Sequence, residues 1–193
     1  LMALDLGAGD EVITTPFTFA ATVEVVALLK AIPVYADIDP MTFNMDVNKV
    51  EALITSKTKA IVPVHLYGQA ADMDELMEIG RKYDIPVIED AAQAMGAMYK
   101  GRPVTSIGDL ACTSFFPAKN LGAFGDAGGV FTNDDTYGNK MKFLRVHGSD
   151  KRYVHDMIGV NSRLDSLQAA ILDVKLTKLD VWNKRRDVIA DLY

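Results

Sequence analysis

Short apolar runs recur along the chain, each followed by a longer stretch in which charged and apolar residues are mixed. The runs are Glu11–Thr15, Pro33–Asp37, Lys59–Val64 and Pro86–Asp90, with Leu110–Phe115 and Gly128–Asn133 further on. Apolar and polar residues do not alternate inside them, which predicts strands buried on both faces. The stretches Ala20–Lys30, Asp46–Leu53 and Asp72–Tyr83 read as helices, the last two opened by an aspartate in capping position. Most of the chain beyond residue 133 also reads as helical. Strands alternating with helices predict an α/β fold with a mainly parallel central sheet and helices on both faces. Ligands of such sheets sit outside the carboxyl ends of the strands. Thr18, His65, Asp90, Gln93 and Ser114 all fall at those ends.

Composition narrows the classes of function. The chain has 193 residues, 49% of them hydrophobic, enough for the core of one domain. Its net charge of -6 is spread along the sequence, and no basic stripe marks a nucleic-acid partner. No run approaches the roughly 20 apolar residues of a membrane span. The stretch Val23–Leu29, interrupted by Glu24, reads as a packed helix, and the opening residues do not read as a signal peptide. The histidines at 65, 147 and 155 and the single Cys112 have no metal-binding spacing, so no metal is expected. One cysteine excludes an internal disulfide and fits a reducing cytoplasm; its apolar neighbours make Cys112 a core residue rather than a nucleophile. The chain opens in what reads as the last turns of a helix and stops inside a charged one, as if cut at both ends.

Two segments carry chemistry. In Glu89-Asp90-Ala91-Ala92-Gln93, two carboxylates close an apolar strand and small residues come next. A carboxylate at a strand end can hold a pyridinium nitrogen and keep it protonated. In Thr113-Ser114-Phe115-Phe116-Pro117-Ala118-Lys119-Asn120-Leu121-Gly122, a strand turns at a proline and presents one lysine before a glycine-rich segment that runs to Gly129. An apolar setting disfavours a charged ammonium, and the neutral amine is the form that makes an imine. The Ser114 hydroxyl suits a phosphate oxygen, and the glycines allow close backbone approach. No G-x-G-x-x-G follows the first strand, which weakens a generic dinucleotide-binding reading.

Six blocks in order resemble the DegT/DnrJ/EryC1/StrS sugar aminotransferases, which have the aspartate aminotransferase fold (fold type I). They are GDEVITTPFTFAAT, PVYADIDPMTFNMD, TKAIVPVHLYGQAADMDEL, IPVIEDAAQAMGA, SFFPAKNLGAFGDAGGVFTND and GVNSRLDSLQAA. The resemblance implies pyridoxal 5'-phosphate as cofactor, with Lys119 its Schiff-base lysine and proton shuttle. Asp90 would pair with the pyridine nitrogen, Gln93 would contact the ring oxygen and Ser114 would bind the phosphate. Phe19 would lie over the cofactor face. Asn161 would reach the phosphate in a neighbouring subunit's site, implying a homodimer with shared active sites. Arg163 and Gln168, in the same block, are expected to be structural. His65 also matches the family, equally as a strand-end histidine or a substrate contact.

The implied reaction is transamination of a nucleotide-linked keto sugar to an amino sugar, with glutamate as donor, in amino-sugar and polysaccharide biosynthesis. Family members that act as dehydrases carry histidine in place of the Schiff-base lysine, so lysine at 119 favours amino transfer. A dehydrase and a non-catalytic protein that retains the fold are the alternatives. The segment around Lys119 resembles the subset acting at sugar C3 more than that acting at C4; sugar and nucleotide stay open. Residues 1–193 are expected to form a partial cofactor-binding large domain. The family's Gly-Thr phosphate turn would precede Leu1, and its small C-terminal domain would come after Tyr193.

Overall fold

The computed structural model describes residues 1–193. In chain order the strands are β1 (Glu11–Thr14), β2 (Ile32–Tyr35), β3 (Thr58–Ile61), β4 (Ile88–Asp90), β5 (Met98–Tyr99), β6 (Arg102–Pro103), β7 (Leu110–Ser114) and β8 (Gly128–Phe131). The helices are α1 (Ala21–Leu28), α2 (Val47–Val50), α3 (Met73–Tyr83), α4 (Asp135–Leu144), α5 (Ser166–Leu176) and α6 (Leu179–Ala190). Two ladders, β2-β1-β3 and β4-β7-β8, are joined by parallel bridges between Ile61 and Val87 and between Val64 and Asp90. The result is one sheet in the order β2-β1-β3-β4-β7-β8, parallel except for β8, which runs antiparallel along β7.

Both faces of this sheet are covered, as the unalternating strands require. Successive residues of a strand point to opposite faces, and here they enter different cores. Ile13, Ile61 and Val87 pack with Met45, Val50, Met73 and Leu76 beneath α2 and α3. Their neighbours Val12, Ala60, Val62 and Ile88 pack with Val26 of α1, and Tyr137 and Met141 of α4 border that cluster. In α3 the buried residues Met73, Leu76 and Gly80 fall on one helical stripe.

The structure corrects three local expectations. Asp46 caps α2 by accepting from the Asn48 N–H, but Asp72 makes no side-chain cap at α3. Its carboxyl is instead pushed up, by burial first and then by the charge of Glu75. The opening residues form a short 3₁₀ turn, Met2–Leu4, rather than the end of an α-helix. Between β4 and β7 there is a hairpin, β5–β6, that the apolar pattern does not announce. Its turn is Lys100-Gly101, with φ of 48° and 80°, the left-handed values a two-residue hairpin demands.

Candidate functional site

The carboxyl ends of β4 and β7 lie side by side, with Asp90 in register with Cys112. Two further contacts tie these ends: the Ala91 N–H donates to the Cys112 carbonyl, and the Thr113 hydroxyl donates to the Ala91 carbonyl at 3.1 Å. Asp90 closes β4 and Ser114 closes β7, so both fall on the edge where parallel sheets bind ligands. Gln93 sits in the turn after β4, and its Oε1 accepts from the Tyr67 N–H at 3.0 Å. The hydroxyl oxygen of Ser114 accepts from the Phe116 N–H at 3.2 Å, which leaves the hydroxyl proton free to donate outward.

Asp90 is half-buried and held at both carboxylate oxygens. Oδ1 accepts from the Ala92 N–H at 3.1 Å, and Oδ2 accepts from the Thr22 hydroxyl at 2.8 Å. Thr22 is buried in the first turn of α1, so the helix after β1 reaches across to the end of β4.

Lys119 is presented by a turn closed by its own N–H donating to the Phe116 carbonyl at 2.9 Å. Its side chain is half-buried and makes neither an ion pair nor a hydrogen bond. The loop behind it is clamped. Leu121 and Ala123 pack on Leu172 of α5 and Leu179 of α6. Gln168 of α5 accepts from the Phe124 N–H at 2.8 Å, and Lys175 of α5 donates to the Gly122 carbonyl. The Asn120 amide donates to the Met95 carbonyl and to the side chain of Asn183 on α6. Gln168 thus has a structural contact; Arg163 donates from Nε to Asn161 Oδ1 at 3.1 Å.

Phe19 lies in the bend between β1 and α1, is 73% exposed and engages in no aromatic pair. Asn161 stands apart. It is exposed, bridges to Val146, and its Oδ1 accepts from Arg163.

Directly behind Asp90 is a buried charge. Both oxygens of Glu89 are occupied, Oε1 by the N–H groups of Ile107 and Gly108 and Oε2 by the Thr105 N–H and the His65 ring. Burial pushes this carboxyl up, but the His65 ring and the three backbone donors outweigh it and hold it below the ordinary range. His65 Nδ1 accepts from the Ala71 N–H at 3.0 Å, so the ring proton is on Nε2 and points to Glu89. His65 is fully enclosed, which makes it a strand-end histidine and not a group that meets substrate. Cys112 is likewise no nucleophile: burial, with the nearby Asp90 charge, pushes its thiol up to about 12.

The sheet order, with a carboxylate at the end of β4, a hydroxyl at the end of β7 and a lysine in the loop after β7, defines an α/β domain with a polar sheet edge. The family model of the DegT/DnrJ/EryC1/StrS aminotransferases matches residues 1–193, and the chain belongs to that family. It is 57% identical to the UDP-2-acetamido-2-deoxy-3-oxo-D-glucuronate aminotransferase of Pseudomonas aeruginosa, over 95% of this chain and 50% of that protein. It is 54% identical to a pleiotropic regulatory protein of Geobacillus stearothermophilus, over 100% of this chain and 52% of that protein. Among solved structures it superimposes on S. venezuelae DesV in complex with a ketimine intermediate. That match has a TM-score of 0.96 and 44% identity, over 99% of this chain and 52% of the other. The chain spans about half the length of the curated relatives it matches.

Proposed function

We propose that this chain forms the cofactor-binding part of a pyridoxal-phosphate-dependent aminotransferase that converts a nucleotide-linked 3-keto sugar to an amino sugar, with glutamate as donor. The observation that carries the reading is the placement of Asp90 and Ser114 at the carboxyl ends of the neighbouring strands β4 and β7, with an unpaired Lys119 in the next loop. The family membership and the 3-oxo sugar acted on by the P. aeruginosa relative support it.

The donor set fits the cofactor. Asp90 offers a carboxylate already fixed at both oxygens, suited to a protonated ring nitrogen. Gln93 retains its amide N–H₂ for the ring oxygen, since only its Oε1 is engaged. Ser114 has a hydroxyl proton for a phosphate oxygen. The exposed Phe19 ring is free to cover one face of the cofactor. Lys119 Nζ, tied to no acid, is the amine that would bind the cofactor aldehyde. Bound there, pyridoxal phosphate would supply an electron sink. Lys119 Nζ, displaced from the cofactor by the donor's amine, would take a proton from the donor's α-carbon and later deliver one to the sugar carbon. The clamped 120–124 loop would hold it in place for that role, as positioned groups require.

The remaining assignments are proposals of the same reading. Asn161 serves the neighbouring subunit's phosphate, and the working unit is a cytoplasmic homodimer with shared sites. Support comes from its exposure and from the family membership. The pathway is polysaccharide or amino-sugar biosynthesis. The chain reads as part of a large domain, in keeping with its coverage of half of each relative.

A keto-sugar and donor panel with the full-length protein, scored by product mass, tests the reaction. Formation of an amino sugar that requires Lys119 supports it; an unsaturated deoxy product would indicate a dehydrase. The G. stearothermophilus relative favours one further reading, a regulator that retains the fold. Protein that acquires no bound chromophore from pyridoxal phosphate would favour the regulator.

A further inference from the structure

The Thr18 and Thr22 hydroxyls are 3.1 Å apart, and the Thr22 hydroxyl lies 2.8 Å from Asp90 Oδ2. An ionised carboxylate only accepts. The Thr22 proton is therefore committed to Asp90, and Thr22 Oγ1 in turn accepts from Thr18. Two hydroxyls thus form a directed chain that ends on the carboxylate. Thr22 is buried, which keeps water from replacing it. Thr18 belongs to the bend that also carries Phe19, one residue on. We infer that Thr22, and Thr18 through it, are positioning residues that fix Asp90 relative to the Phe19 bend, so that the group for the ring nitrogen and the group for the ring face are held as one unit.

The physical case rests on what each oxygen of Asp90 faces. The Ala92 N–H holds Oδ1 from within the same turn, and alone it would leave the carboxylate free to swing about that contact. Thr22 comes from a different element, 68 residues away in sequence, and removes that freedom. Preorganised groups bind more tightly because the ordering cost is met before the ligand arrives.

This inference rests on the assignment of Asp90 to the cofactor ring, so the test includes Asp90 itself. Pyridoxal phosphate is titrated into the cofactor-free, full-length protein and into Thr22→Val, Thr22→Ser, Thr18→Ala and Asp90→Ala. The dissociation constant and the absorption maximum of the bound cofactor are read at fixed pH. Thr22→Val keeps the side-chain shape, and should weaken binding on the order of 10-fold, as expected for loss of a hydrogen bond to a charged group. It should also move the absorption maximum. Thr22→Ser should restore both, and Thr18→Ala should show a smaller change in the same direction.

Parental affinity and spectrum in Thr22→Val, beside a strongly weakened Asp90→Ala, would overturn the positioning role and leave the Asp90 assignment standing. Parental behaviour of Asp90→Ala would overturn that assignment instead. Weakening in Thr22→Val that serine does not repair would point to packing and also count against the inference. Should Thr22→Val fail to fold, the half-exposed Thr18→Ala decides, with parental affinity overturning the proposal.

Discussion

His65 Nε2 lies 2.9 Å from Glu89 Oε2, and neither side chain is reached by solvent. The pair joins the loop after β3 to β4, immediately behind Asp90, and the same carboxylate holds the loop before β7 through the Thr105, Ile107 and Gly108 N–H groups. Each Glu89 oxygen receives two N–H donors, so an amide at this position must turn its own nitrogen toward donors whichever way it flips. Glu89→Gln is therefore expected to lower stability by about 2–6 kcal/mol, at about 1–3 kcal/mol for each of two orphaned donors. The urea midpoint at neutral pH measures it.

The same carboxylate sets an acid-side signature. Its folded value is held below that of the unfolded chain, so its stabilisation is complete above the ordinary glutamate range and fades as pH falls through the depressed value. Urea midpoints measured stepwise into acid should decline in the parent within that window. Glu89→Gln should start lower and lose less there.

Gly122 comes just after the turn that presents Lys119. A Cβ at this position would collide with the Pro117 carbonyl, which is backbone and cannot swing aside, and would approach the Phe116 carbonyl to 2.9 Å. Gly122→Ala is expected to cost about 1–3 kcal/mol, as overpacking does. It should also impair cofactor capture more than it lowers the melting temperature. Parallel absorbance titration and thermal melts separate the two effects.

Gln168 is the α5 contact to the Phe124 N–H. Gln168→Leu leaves that donor without its partner and should raise amide exchange in residues 120–125 by about 10-fold, as loss of about 1.4 kcal/mol of protection implies. Exchange elsewhere in the sheet should be unchanged, as tracked by mass spectrometry.

If Asn161 serves the neighbouring site, Lys119→Ala and Asn161→Ala subunits should each be impaired alone, while dimers mixed from both should regain turnover through one intact site. Dissociation, mixing and reassociation, with the product-mass assay as readout, checks this. No recovery in verified mixed dimers would place Asn161 outside the partner's site.

The strands were legible because their role in the fold is local. Runs such as Lys59–Val64 are apolar throughout, and the structure sends Ala60 and Ile61 into different cores. Asp90, Gln93, Ser114 and Lys119 stood out for a similar reason: each lies in a short segment whose order alone suggests chemistry. Thr22, Lys175 and Asn183 did not stand out. Their partners lie 68, 53 and 63 residues away, and only the folded chain brings them together. His65 was ambiguous until burial and the Ala71 and Glu89 contacts enclosed it. Asp72 looked like a cap by position, yet position does not say which way a side chain turns.

The assignment of Lys119 is tested most directly by covalent trapping. Full-length protein loaded with pyridoxal phosphate is reduced with borohydride, digested and mapped by mass spectrometry. The account predicts a single major adduct, on Lys119, absent from Lys119→Ala. An adduct on another lysine in the parent, or none from protein that visibly binds the cofactor, would contradict it.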